Sequence, residues 1–320
     1  MRLRSGWAAK GFEEIEHRNC TFVAICFAML FLLLTVLCSV ALGFLFKLFG
    51  RWGIDGFQAI LFNYATCVLC GWVHLGHFPV QKAHFDTPWM PYALLLGLIF
   101  IGGFNLASIT VRYFGVTVGQ IMQKMSILMT VPFAMLAYGE STGWAKILGF
   151  VLALTSIVLV NWPQQSSGSQ PEVRMRKHLL WIPFLTWALS GLLEVLVLRV
   201  QKEQLTDMSN PTFIINIFAI AGMIGLATAL YGWWKKRLVW QWKNVAGGII
   251  LGIPNYGSMV FMLWALNSGL EGSFLFPVAN VGIILLTTIG AVTMFHEKLS
   301  PLNWLGIGFA LGAIALISFG

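Results

Sequence analysis

The chain has 320 residues, 58% of them hydrophobic and only 10% charged, with a mean hydropathy of +0.79. Soluble domains are about a quarter charged, so a water-soluble enzyme or binding module is excluded and a membrane protein is indicated. The net charge of +8 sits in short clusters between apolar runs, such as Lys235, Lys236, Arg237 and Lys243, which speaks for lipid headgroups or the cytoplasmic side and against nucleic acid as a partner.

The apolar runs recur along the whole chain at about 20 residues each, the length a helix needs to cross the hydrocarbon layer. The strict alternation of a transmembrane barrel is absent. Ten spans are expected, near 22–46, 56–76, 91–112, 115–138, 144–162, 179–200, 211–234, 245–266, 270–295 and 302–319. The fold class is therefore an all-α polytopic membrane protein.

A polar amino-terminal segment, 1–20, precedes the first span. That span is too long for the core of a signal peptide. Met29 begins its densest part, so residues 1–28 read as an extension ahead of it. All five cysteines, Cys20, Cys26, Cys38, Cys67 and Cys70, lie in the first 70 residues. The CxxC pair Cys67 and Cys70 falls within the second span, where small apolar packing is the expectation. His74, His77 and His84 follow at a span end without a carboxylate at a fitting distance, so no metal is expected there.

The fourth span carries the most costly residue. Gln120, Gln123 and Lys124 share one helix face, extended by Thr117 and Thr130. A lysine near the centre of a span costs about 3 kcal/mol on insertion scales. Something must offset that cost. One candidate is the anionic group of a substrate; the other is a permanent partner, for which Glu194 on the sixth span is the embedded acid at hand.

A Ser/Gln-rich linker, 163–178, divides the chain into halves at 21–162 and 179–320. In the second half, the eighth span holds Gly252, Pro254, Asn255 and Gly257. Proline removes a helix donor, and broken helices often line a transporter's site. A break at Pro254 with Asn255 as a ligand contact is therefore expected. The ninth span repeats a polar stripe with Ser273, Pro277, Asn280 and Thr287. Asn63 and Asn216 read as interhelical hydrogen bonds. Trp162, Trp181, Trp233 and Trp234 mark the membrane interfaces.

The halves resemble each other. A shift of 157 positions takes Gln123 to Asn280, Glu140 to Glu297 and Gly149 to Gly306, and a shift of 155 takes Gly97 to Gly252. Each half has five spans. If both fold alike, the second enters the membrane from the opposite side, which gives two inverted five-helix repeats, an arrangement recurrent in secondary transporters. The stripes of spans four and nine should then face each other or a wet cavity.

The stretches AMLAYGESTGWAKILGFVLALTSIVLV (134–160) and GAVTMFHEKLSPLNWLGIGFALGAIALIS (290–318) resemble the paired signatures of the drug/metabolite transporter superfamily, in its EamA-like branch. His296 stands where that pattern usually has glycine before Glu297. Lys124 also departs from it, so no substrate carries over from a relative. The resemblance implies ten helices, a central cavity and transport of small metabolites, commonly outward.

The function expected is a secondary transporter, an exporter of a small metabolite across the plasma (inner) membrane by alternating access. Lys124, Gln120, Gln123, Asn280, Asn255 and Pro254 are its substrate-binding residues. No cofactor and no catalytic residue is expected, and no ATPase signature is present. Gly115/Gly119 and Gly308/Gly312 permit close helix approach within the fold or in a homodimer. Two rival readings are a membrane-embedded lipid-modifying enzyme and a non-transporting receptor or scaffold. Lys and Arg lean toward the side opposite the amino terminus, whereas the resemblance implies both ends inside, so the orientation stays open.

Overall fold

The computed structural model describes residues 5–114, 116–160, 179, 181–235, 239–295 and 299–319. Side chains are described from residue 25 onward, apart from 108, 111, 112, 114, 116–118, 120, 291 and 295. The polar linker, Gly115, His296 and Glu297 lie outside the described residues.

Helices are the regular structure of the described residues, joined by turns and short loops, with no strand among them. The helices are α1 (Ser5–Trp52), α2 (Gly56–Leu75), α3 (Met90–Phe114), α4 (Val116–Lys124), α5 (Ile127–Tyr138), α6 (Trp144–Val160), α7 (Trp181–Lys202), α8 (Thr212–Trp234), α9 (Trp242–Asn267), α10 (Gly272–Phe295) and α11 (Pro301–Phe319). A short 3-10 helix, Lys82–Asp86, precedes α3. Nine stretches among the described residues are long and apolar enough to cross a membrane, and α6 is a shorter apolar helix. The protein is a multi-pass membrane protein. The outer faces carry large apolar side chains such as Leu136, Ile253 and Leu311, as contact with lipid tails requires.

The boundaries follow from local chemistry. Asp55 caps α2, its side chain accepting the N–H of Gln58 at 2.8 Å, and Gly76 ends that helix in the left-handed conformation. Gly139 ends α5 in the same way. Asn303 fastens α11 to α6 by donating to the carbonyls of Leu159 and Val160 at 3.1 and 2.9 Å.

The fourth expected span is two helices. α4 stops at Lys124 and α5 starts at Ile127. Across the junction the N–H groups of Ser126, Leu128 and Met129 donate to the carbonyls three residues back rather than four. The Met125 carbonyl also accepts the Trp187 indole N–H at 2.9 Å. Short tight turns of this kind inside a helix often mark a functional hinge or a strained sequence.

The neighbours of each helix follow a pattern. α6 packs on α11 and α2 on α8. α1 and α2 pack on α9, while α7 and α8 pack on α3; α10 packs on α1, while α4 and α5 pack on α7. Exchanging first-half helices for their second-half counterparts turns these pairings into one another. Two close approaches obey the same exchange. A Cβ on Gly149 would stand 2.7 Å from Ile317 Cγ1, and one on Gly306 would stand 2.6 Å from the Val160 nitrogen. Gly306 follows Gly149, and Ile317 follows Val160, by the same 157 positions.

Candidate functional site

The break between α4 and α5 lies beside α7 and α10. Lys124, the last residue of α4, donates from Nζ to Asn280 Oδ1 of α10 at 3.0 Å. Asn280 Nδ2 approaches Glu194 Oε1 of α7 at 3.5 Å. Glu194 also accepts from Ser126 Oγ at 2.9 Å and from Thr130 Oγ1 at 2.7 Å. Four helices thus converge on one lysine, one glutamate and the amide between them. Among the described residues, no ion pair within 4 Å joins the lysine to an acid; Asn280 stands between the two charges.

The helix ends explain the placement. Peptide dipoles leave a partial negative charge at a helix C-terminus and a partial positive charge at an N-terminus. Lys124 sits at the C-terminus of α4. Glu194 is bound at the first turn of α5 by Ser126 and Thr130. Each charge therefore lies at the helix end that favours it, as at the discontinuous helices of transporters. This is the offset that the cost of Lys124 demanded. It comes from one broken helix, one amide and one opposite charge.

The other expected residues separate into groups. Gln123 is exposed beside Lys124, and its carbonyl accepts the Ser126 N–H at 3.3 Å. The Gln120 and Thr117 side chains lie outside the described ones. Pro254 does not break its helix, since α9 runs through it. Asn255 is buried on the seam between α9 and α2, where it donates to Asn63 Oδ1 at 3.1 Å. Cys67 joins the same seam, its thiol 3.4 Å from the Gly252 carbonyl. Asn216 donates to the Pro79 and Thr212 carbonyls.

From the sequence, Glu194 reads as a structural partner, and Trp187, deep in its span, reads as core packing or a cavity wall; Ser126 is not singled out. An acid inside a span was the available signal for Glu194. The contact that Trp187 makes with the Met125 carbonyl carried none, because it depends on where α7 packs.

A second polar cluster ties the halves together at one membrane face. Glu140, in the turn after α5, accepts the N–H groups of Gly272 and Ser273 at 3.0 and 2.7 Å and pairs with Lys202 at 2.8 Å. It caps α10, a helix of the other half. Burial pushes its carboxyl up, but Lys202 and the N–H groups of Ser273 and Gly272 outweigh that and hold it below the usual range. Next to it, the buried Lys146 pairs with Glu271, which also accepts from Ser141. Burial raises the Glu271 carboxyl, yet Lys146 and Ser141 bring it down to about 2. Arg199 pairs with Glu203 at 2.7 Å and lies over the Tyr92 ring.

Comparison with known proteins agrees with this architecture. Residues 22–162 match the EamA-like transporter family. An uncharacterized protein of Haemophilus influenzae is 31% identical over 291 residues, which span 88% of this chain and 95% of that protein. A solved crystal structure of another protein superposes with a TM-score of 0.69 at 16% identity, over 91% of this chain and 96% of that one.

Proposed function

Since the chain belongs to the EamA-like transporter family, we propose that it is a secondary transporter which carries a small anionic metabolite out across the plasma membrane, with Lys124 as its anion-binding group. The observation that carries this reading is the broken helix. A span interrupted at its own lysine, with a glutamate and an amide brought by two other helices, forms a polar centre midway along its span, where binding sites of inverted-repeat transporters lie. Asn280 orients the lysine, and Gln123, exposed next to it, supplies a further hydrogen bond to the solute.

Alternating access follows from two inverted repeats. The exchangeable helix pairings and the matched approaches at Gly149 and Gly306 support that relation. A site on the axis between such repeats is closed from either side by nearly equivalent rocking motions. The cluster around Glu140 and Glu271 joins the halves at one face. Gly308 has open space around its Cα, which leaves room for a second copy of the chain.

A thermal-shift screen of the purified protein against anionic and zwitterionic metabolites tests this reading. A solute that binds the folded state raises the melting temperature. Stabilisation of wild type with none in a well-folded Lys124→Ala variant is expected. Equal stabilisation of both would remove Lys124 from the site.

A further inference from the structure

Lys124 and Glu194 address the same amide, one through its oxygen at 3.0 Å and the other through its nitrogen at 3.5 Å. With both groups ionised the cluster is neutral. An organic anion arriving at Lys124 changes that balance: two negative groups then share one ammonium. An unbalanced carboxylate within a span is expensive, and a proton from water is the available remedy.

We propose that Glu194 is the proton-carrying residue of the transport cycle. When an anionic group takes Lys124, Glu194 takes one proton from the side to which the site is open. Anion and proton then cross together as a neutral acid and leave together on the other side. The proposal rests on the transporter reading above and adds to it the direction of the proton, its stoichiometry and its carrier. Both the empty site (Lys⁺, Glu⁻) and the loaded site (Lys⁺, anion, neutral Glu) have no net charge. The membrane potential therefore acts on neither reorientation.

The surroundings of Glu194 suit both of its forms. α4 presents Lys124, the turn into α5 and α5 itself present Ser126 and Thr130, and α10 presents Asn280. Toward α3, the described polar contacts of α7 are the Thr110–Thr186 pair and Arg199 over Tyr92 near the helix end. Toward α9, Gln201 reaches the Leu266 carbonyl. Among the described side chains, Lys124 is thus the charged group that acts on Glu194. A hydroxyl donates to a carboxylate and, after rotation, accepts from a carboxyl. Ser126 and Thr130 therefore satisfy the group before and after it gains its proton.

Infrared spectroscopy of the purified full chain at neutral pH reads this coupling without any solute. Loss of the lysine charge in Lys124→Met should produce the carbonyl stretch of one protonated carboxyl per chain. That band should vanish in Lys124→Met/Glu194→Gln and be missing in wild type and Lys124→Arg. Lys124→Gln serves as a second neutral variant if Lys124→Met does not fold. A glutamate that stays ionised beside a neutral residue 124 would overturn the proposal. In a second arm, proteoliposomes containing pyranine receive a solute of net charge −1, namely gluconate, glutamate or glycerate. Lumen acidification that accompanies solute entry, with no effect of an imposed potential, is expected. Solute entry without acidification, or entry driven by the potential, would also overturn it. If none of the three solutes moves while the infrared band behaves as stated, the transporter reading fails for these carboxylates and the lysine–glutamate coupling stands.

Discussion

Lys124 and Asn280 meet across the two halves of the chain, the ammonium donating to the amide oxygen at 3.0 Å. Asn280 corresponds to Gln123 by the shift that relates the halves, so Lys124 meets the counterpart of its own chain neighbour. Replacement by alanine removes a partner from both charges. Losing a hydrogen bond to a charged group costs about 1.5–3 kcal/mol, so Asn280→Ala should lower the melting temperature and weaken solute binding about tenfold or more. Asn280→Asp should instead pair with Lys124 directly. That variant also loses the amide donor to Glu194 and sets a second acid beside it, so it is expected to bind no anionic solute and to melt lower as pH rises, because one acid of the pair must hold a proton. Thermal unfolding beside a binding titration checks both outcomes.

Glu140 makes a separate prediction, because it serves the fold at a membrane face. Glu140→Gln keeps the shape but loses the charge that Lys202 and the first turn of α10 require. Loss of such a cap typically costs about 1–2 kcal/mol. The variant should melt earlier yet bind solute with unchanged affinity once folded. A change in affinity with no loss of stability would place Glu140 in the binding site instead.

The matched glycines can be tested as a pair. A Cβ at Gly149 would lie 2.7 Å from Ile317 Cγ1 and 3.1 Å from the Ala313 carbonyl, and one at Gly306 would lie 2.6 Å from the Val160 nitrogen. Overpacking costs about 1–3 kcal/mol. Gly149→Ala and Gly306→Ala should therefore destabilise to a similar degree. Gly102→Ala, where nothing lies within 4 Å, should be tolerated. Thermal melts of the three variants decide it.

Acid should loosen the Glu140–Glu271 face first. The Glu271 carboxyl is lowered from 4.5 to about 2 in the folded protein, and Glu140 is lowered as well. A carboxyl depressed by folding stabilises above its unfolded value and loses that contribution as pH falls toward its folded one. The melting temperature should thus drop between about pH 4.5 and pH 2, and less so in Glu271→Gln. Glu271 is more than a third exposed, so solvent screens its share.

Much of this architecture is legible in the sequence. Hydropathy placed the ten spans close to the helices observed, because a lipid-facing helix has to be apolar over a set length. The interruption of span four was not legible. Residues 125–127 contain neither proline nor glycine, and the turn there depends on the Trp187 indole and the Glu194 carboxylate, which arrive from α7. Pro254, by contrast, announced a break that α9 does not make. Lys124 stood out because its burial cost is local and readable. The answer to that cost was not readable, since it comes from Asn280 and Glu194 more than 60 residues away.

Proteoliposome uptake of a solute first identified by thermal shift, with wild type beside Lys124→Ala, tests the central claim most directly. Saturable uptake by wild type and its loss in a Lys124→Ala variant of normal fold is the result this account predicts. Equal uptake by both proteins would contradict it, and would leave Lys124 as a structural partner of Asn280 and Glu194.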